Sequence, residues 1–191
     1  MTYKWYVSSK KGVHMKPTIN FNLLVTLKGQ KANNVGEELL GMEEIELALQ
    51  PHESILNIKD SEFANVILLD LSIKPKQALE ILRNANTTVI SKIVVIDEVV
   101  RTRPKLIKDK VLQIADDKIN SGQSFVVRCD LRGRKYIESK EELKEYVSRE
   151  VIENLNIIEN DDNPDWIIQI EIIGENTGIS VSKPADIIKK D

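Results

Sequence analysis

The sequence predicts an α+β chain of two units in tandem, residues 20–98 and 99–191, each a sheet carrying helices. Three observations predict it. Apolar residues alternate at period two in short stretches, of which 21–27, 125–129 and 166–172 are the clearest. Other stretches repeat at three and four, the helical period. Pro75 and Pro104 stand where a helix would begin, since proline's fixed φ suits a first turn.

The first unit reads β-α-β-β-α-β. Phe21, Leu23, Val25 and Leu27 alternate with Asn22, Thr26 and Lys28, a half-buried strand. Val35, Leu39 and Met42 recur at helical spacing through a glutamate-rich stretch. Residues 54–58 form a weak strand, and 66–71 is almost wholly apolar, as in a central strand. Pro75 opens a short helix with Ala78, Leu79 and Leu82 on one face, and residues 93–96 close the unit as a strand. This order is that of a ferredoxin-like domain. Residues 1–19 show no period and are read as a flexible N-terminal segment.

The second unit opens at Pro104. Ile107, Val111, Ile114, Ala115 and Ile119 keep one helical face, and Gly122 follows to end it. Phe125, Val127 and Cys129 alternate with Val126, Arg128 and Asp130, a strand whose outer face carries charge. Ser139 and Glu142 have the spacing of a capping box, with Leu143, Val147 and Val151 lining the helix that follows. Trp166, Ile168, Ile170 and Ile172 alternate with Gln169 and Glu171, and residues 174–178 turn the chain into a last strand, 179–182. Residues 99–103 join the two units.

Composition narrows the function classes. The chain has 191 residues, 41% hydrophobic and 30% charged, in the range of globular proteins. No apolar run approaches the ~20 residues that span a bilayer, and Lys4, Lys10, Lys11 and Lys16 adjoin no apolar stretch of a secretory signal. The single cysteine cannot form an internal disulfide, which fits the cytoplasm as the expected location. Net charge is −3, but residues 101–150 hold thirteen Lys/Arg against nine Asp/Glu, a local +4. A local field is what attracts a polyanion.

Catalytic chemistry is scarce. His14 and His52 are isolated, and Cys129 falls on the inner face of a strand, where a small buried thiol is the usual occupant. The eight glycines are dispersed, with neither a dinucleotide nor a P-loop spacing. Asp161-Asp162-Asn163-Pro164 reads as a turn that needs no ion, and the pairs Glu37-Glu38 and Glu43-Glu44 point apart on a helix. No catalytic residue, cofactor or metal is expected, and the chain is read as not an enzyme.

The remaining signal is basic. Arg101, Arg103, Lys105, Lys108 and Lys110 bracket a helix start, and Arg128, Arg132, Arg134 and Lys135 follow on a strand and its turn. Guanidinium forks and helix N-termini both suit phosphate oxygens. The same side chains could instead merely keep the surface soluble.

Residues 107–184 resemble the THUMP domain, an RNA-binding module. The resemblance rests on the helix 107–119, Gly122-Gln123-Ser124-Phe125-Val126-Val127-Arg128, and the basic turn Leu131-Arg132-Gly133-Arg134-Lys135-Tyr136. It continues through the capped helix, Asn163-Pro164-Asp165 before the isoleucine-rich strand, and the strand from Gly178 to Ser182. Residues 96–104 look like the joint to an N-terminal ferredoxin-like domain. The resemblance implies tRNA binding, with Arg101, Arg103, Lys105, Lys108, Arg128, Arg132, Arg134 and Lys135 as the RNA-binding set. Neither the S-G-G-x-D-S motif of thiouridine synthases nor a methyltransferase's glycine-rich loop occurs. The likeness therefore falls to stand-alone THUMP proteins that act as tRNA adaptors for RNA cytidine acetyltransferase. Two alternatives stay open: the RNA-binding subunit of a split thiouridine synthase or methyltransferase, and a protein-interaction module using residues 151–191, which hold three Lys/Arg against nine Asp/Glu.

Overall fold

The computed structural model describes residues 17–29, 35–59 and 61–191. Most of the segment read as flexible, residues 1–16 with His14, lies outside them. Of its remainder, Thr18 and Ile19 donate their backbone N–H groups to Asn176 Oδ1 at 2.9 and 3.4 Å.

The first unit comprises β1 (Leu23–Leu27), α1 (Val35–Leu49), β2 (Ile58–Lys59), β3 (Val66–Leu69), α2 (Pro75–Asn84) and β4 (Ile90–Val95). The second comprises β5 (Glu98–Arg101), α3 (Pro104–Lys118), β6 (Ser124–Arg132), α4 (Lys140–Leu155), β7 (Ile158–Glu159), β8 (Trp166–Ile173) and β9 (Asn176–Ser182). A 3-10 turn, Pro184–Asp186, leads to β10 (Ile188–Lys189). The first sheet runs β10-β4-β1-β3-β2 with every neighbour antiparallel, the ferredoxin-like order plus one edge strand. The second runs β5-β9-β8-β6-β7, with β6 parallel to both β7 and β8. The architecture is the α+β fold that the sequence predicts.

Alternation sets the layers. Leu23, Val25 and Leu27 join Ile45, Leu49, Leu79 and Leu82 in a core under α1 and α2. Phe125, Val127, Cys129, Ile168, Ile170 and Ile172 join Ile107, Val111, Leu143 and Val147 under α3 and α4. The odd-numbered β1 residues and the even-numbered ones take opposite faces, so Leu24 leaves the first core. It packs with Leu68, Val94, Phe21, Ile96, Val99 and Ile173 in a third cluster drawn from both units. The helix-free faces of the two sheets therefore meet each other. A Cβ on Gly178 would lie 3.0 Å from both Ile96 and Phe21, so any larger residue there would push those side chains aside by a few tenths of an ångström.

Three features depart from the sequence reading. The joint at 99–103 contains a strand, β5, paired with β9. Residues 188–189, assigned to the second unit, pair with β4 and bury Ile188 in the first core; a two-residue strand carries no readable period. And the charged face of β6 is not an outer face. It meets the first sheet through an ionic cluster. Asp130 and Glu171 stand directly opposite on β6 and β8, a like-charge pair that requires cations. Lys92 of β4 supplies one, hydrogen-bonded to Asp130 and donating to Glu171 Oε1 at 2.5 Å. Arg132 supplies the other, donating to Glu171 Oε2 at 2.7 Å and to Thr26 Oγ1 at 3.2 Å.

Candidate nucleic-acid interface

The second sheet gathers its basic residues at one end by topology. β5 and β8 are each antiparallel to β9, and β6 is parallel to β8, so β5, β6 and β8 finish on the same edge. Both helices start there, because α3 follows β5 and α4 follows β6. Backbone bonds stitch the loops together: Thr102 N donates to Glu175 O at 2.8 Å, and Gly174 N to Arg132 O at 2.9 Å. Gly133 takes φ +79°, and a Cβ on it would come within 3.3 Å of Phe63 from the first unit. Glycine between two arginines is thus what lets the basic turn fold against its neighbour.

Glu175 organises this edge. It accepts from Tyr136 Oη at 2.5 Å and from Arg101 Nη1 at 3.3 Å, and lies 3.9 Å from Lys135 Nζ. The Tyr136 hydrogen bond first, and then Lys135, Arg101 and Arg103, hold its carboxyl below the ordinary range. Arg103 lies 4.1 Å over the Tyr136 ring and Lys135 5.2 Å from it. Stacking fixes the guanidinium plane without cancelling its charge. One carboxylate thus braces three cations.

The two helix starts differ. Arg103 caps α3 without a side-chain acceptor, Pro104 occupies the first turn, and no acid follows in that turn. The N–H groups and positive dipole end of α3 are left for an anion. At α4, Ser139 Oγ accepts from Glu142 N at 3.2 Å, and Glu141 and Glu142 sit in the first turn. That end is already neutralised.

The residues singled out by sequence do not all converge. Arg101, Arg103, Lys105 and Lys135 share the α3 edge, Lys105 reaching solvent with Asp109 2.7 Å away. Arg134 is exposed in an adjoining shallow groove with Ser139, Lys140, Glu138 and Glu141. Lys108 is instead spent on structure. It lies 2.5 Å from Asp109 and 3.8 Å from Glu150, joining α3 to α4, and its side chain is only 16% exposed. The Asp109 hydrogen bond raises its pKa against the opposing effect of burial. Arg132 is likewise inside, 16% exposed and held by Glu171, so it is corrected from surface contact to inter-sheet bridge. Arg128 opens into a different cleft, toward β10.

Sequence reasoning passed over Tyr136 and Glu175 as site residues. Tyr136 carried a signal, an aromatic directly after Arg134-Lys135, whereas Glu175 is brought in by the β8–β9 turn alone. The residues weighed for catalysis fall elsewhere. Cys129 is buried, and burial pushes its thiol up to about 12. His52 is exposed. The turn 161–164 satisfies itself, Asn160 Oδ1 accepting from the N–H groups of Asp162 and Asn163. Among the described residues there is no group of three or more His, Cys, Asp or Glu that could hold a metal, and no helix long and apolar enough to cross a membrane.

No curated protein matches the sequence. Three of the solved structures that match this chain illustrate the shared fold. PH1313 from Pyrococcus horikoshii is 20% identical with a TM-score of 0.69, covering 89% of this chain and 55% of that one. A 4-thiouridine synthetase in complex with RNA and ATP is 14% identical with a TM-score of 0.61, covering 89% and 42%. TrmN from Thermus thermophilus is 18% identical with a TM-score of 0.56, covering 85% and 45%. The chain therefore spans about half the length of these structures. Residues 102–182 match the THUMP domain family model, which takes in α3, the basic turn, α4 and the strands through β9. The likeness to the THUMP domain thus falls on the C-terminal unit of this chain.

Proposed function

We propose that this chain binds tRNA and presents it to a separate modifying enzyme, an RNA cytidine acetyltransferase. The observation that carries the reading is the α3 edge, where Arg101, Arg103, Lys105 and Lys135 crowd a helix N-terminus with no acid in its first turn. Such an edge suits phosphate oxygens, and phosphate contacts set register and orientation without reading base sequence. Recognition then follows the shape of the folded RNA. The same fold recurs as roughly half of larger chains, among them a 4-thiouridine synthetase bound to RNA and TrmN, which supports a substrate-holding role for this part.

The adaptor role, without chemistry of its own, is supported by the buried Cys129 and by the lack of a nucleotide-binding or cofactor loop motif in the sequence. Those two matches equally support a second reading, in which the chain is the RNA-binding subunit of a split thiouridine synthase or methyltransferase. Fluorescence anisotropy of the purified chain with tRNA across a salt series tests the first step. Nucleoside mass spectrometry of tRNA from a deletion strain tests the second. N4-acetylcytidine should vanish from a subset of tRNAs while ribosomal RNA acetylation persists. Unchanged acetylcytidine with loss of a thiouridine or a methylated guanosine establishes the second reading, and absence of tRNA binding rejects both.

A further inference from the structure

One predicted RNA contact is left over by the α3 edge. Arg128 lies four residues back along β6 from Arg132, about 13 Å at the rise of a strand, with the ionic cluster between them. The acids of that cluster are already claimed, Asp130 and Glu171 by Lys92, Arg132 and Gln169. Among the described residues, no carboxylate pairs with Arg128. It opens instead into a cleft between the units. Arg83 of α2, Lys189 of β10 and Lys190 line its first-unit wall, and Asp162, Asn163, Pro164 and Ile167 the other. Four cations thus face one carboxylate.

Of the first-unit cations, Lys190 is held by neutral groups alone and Arg83 by a carbonyl together with Glu80. Arg83 Nη2 donates to Ala185 O at 2.7 Å, although its Nε also reaches Glu80 at 3.3 Å. Lys190 Nζ donates to Ala85 O and Thr87 Oγ1, each at 2.9 Å. Burial lowers the Lys190 pKa, with Glu44 only partly offsetting it. A half-buried guanidinium and an ammonium bound only by neutral oxygens are costly arrangements unless an anion completes them. Carbonyl and hydroxyl partners fix where the Lys190 charge points without cancelling it.

We infer that this inter-unit cleft is a second phosphate-binding site, through which an RNA backbone gripped at the α3 edge also engages the first unit. The inference rests on the RNA-binding reading above. It gives β10 a role, since by pairing with β4 that strand carries Lys189 and Lys190 to within reach of a strand of the other unit. It also explains why Arg128 stands unpaired on a strand face whose Asp130 and Arg132 are both paired.

The test is tRNA binding by the full chain with Arg128→Ala combined with Lys189→Ala, neither of which pairs with a carboxylate among the described residues. The expected result is at least tenfold weaker binding with unchanged thermal unfolding. The slope of log affinity against log salt should flatten by roughly 0.7–0.9 for each phosphate that the variant no longer neutralises. Wild-type affinity and slope in this variant, while Arg103→Ala with Lys135→Ala binds poorly, would overturn the cleft site and leave the proposed function standing. Weaker binding without a change of slope would also overturn it, since a phosphate contact must release counterions. No tRNA binding by the wild-type chain would remove the RNA reading itself.

Discussion

The interface between the two sheets and the α3 edge are built from the same residue types and use them in opposite ways. Between the sheets, Lys92 and Arg132 meet a carboxylate, Glu171, that is fully buried. At the edge, Arg101 and Lys135 pair with Glu175, which remains half in solvent, while Arg103 stacks on the Tyr136 ring and meets no carboxylate among the described residues. Arg132 and Arg134 make the contrast sharpest, separated by a single glycine, one interior and the other exposed. A cation's role follows from which sheet face its position selects and whether an acid stands across the strand, and neither is a matter of how many cations lie nearby. Buried charge holds the units together; braced but uncancelled charge is available to a ligand.

The largest effect should come from breaking the interior. Arg132→Ala leaves the buried Glu171 with one cation and should cost about 3–5 kcal/mol of unfolding free energy by denaturant titration. Arg134→Ala should change stability by less than about 0.5 kcal/mol. Similar losses from both would abolish the distinction between the regions. At the edge the pattern should invert. Arg103→Ala with Lys135→Ala should weaken tRNA binding on the order of tenfold while thermal unfolding stays put. A matching drop in stability would show that these cations hold structure instead.

The smallest effect sharpens the comparison through pH. Burial pushes the Asp130 carboxyl up, but the Lys92 hydrogen bond and the charges of Lys92 and Arg132 outweigh it, leaving the pKa below its usual 3.8. A depressed carboxylate contributes stability above its unfolded pKa and loses it as pH falls through the folded value. Acid unfolding below about pH 4 should therefore be shallower in Asp130→Asn than in the wild type. Identical acid limbs would place Asp130 outside the interface energetics.

Much of the fold was legible because alternation and capping are local. Phe125, Val127 and Cys129 point into the core that their period assigns, and Ser139 caps the helix that its spacing announces. The candidate site was legible only in part. Arg101 and Arg103 were singled out by charge beside the helix start that Pro104 marks, and Lys135 by charge in the turn after β6; the structure brings the three to one edge. Arg132 was misplaced because alternation states which side of a strand a residue takes but not whether that side meets water, and here a second sheet covers it. Lys108 was misplaced for a similar reason, its partner Glu150 lying on another helix. Glu175 could not be read at all, because it joins its cations only through the β8–β9 turn.

The position of β10 bears on how the chain is made. A polypeptide emerging from the ribosome presents β1 to β4 early, yet the strand that covers the outer side of β4 appears only after the whole second unit. Until then β4 is an open edge, with unpaired donors and acceptors that can recruit strands from other chains. Lys92 lies on that edge strand, where a charge discourages such pairing until Asp130 and Glu171 arrive to claim it. The widely separated pairing also raises contact order, so the closing step should be slow compared with the collapse of either helix-covered core. A chain shortened to residues 1–186, which loses β10 and with it Ile188 from the first core, should consequently aggregate during refolding.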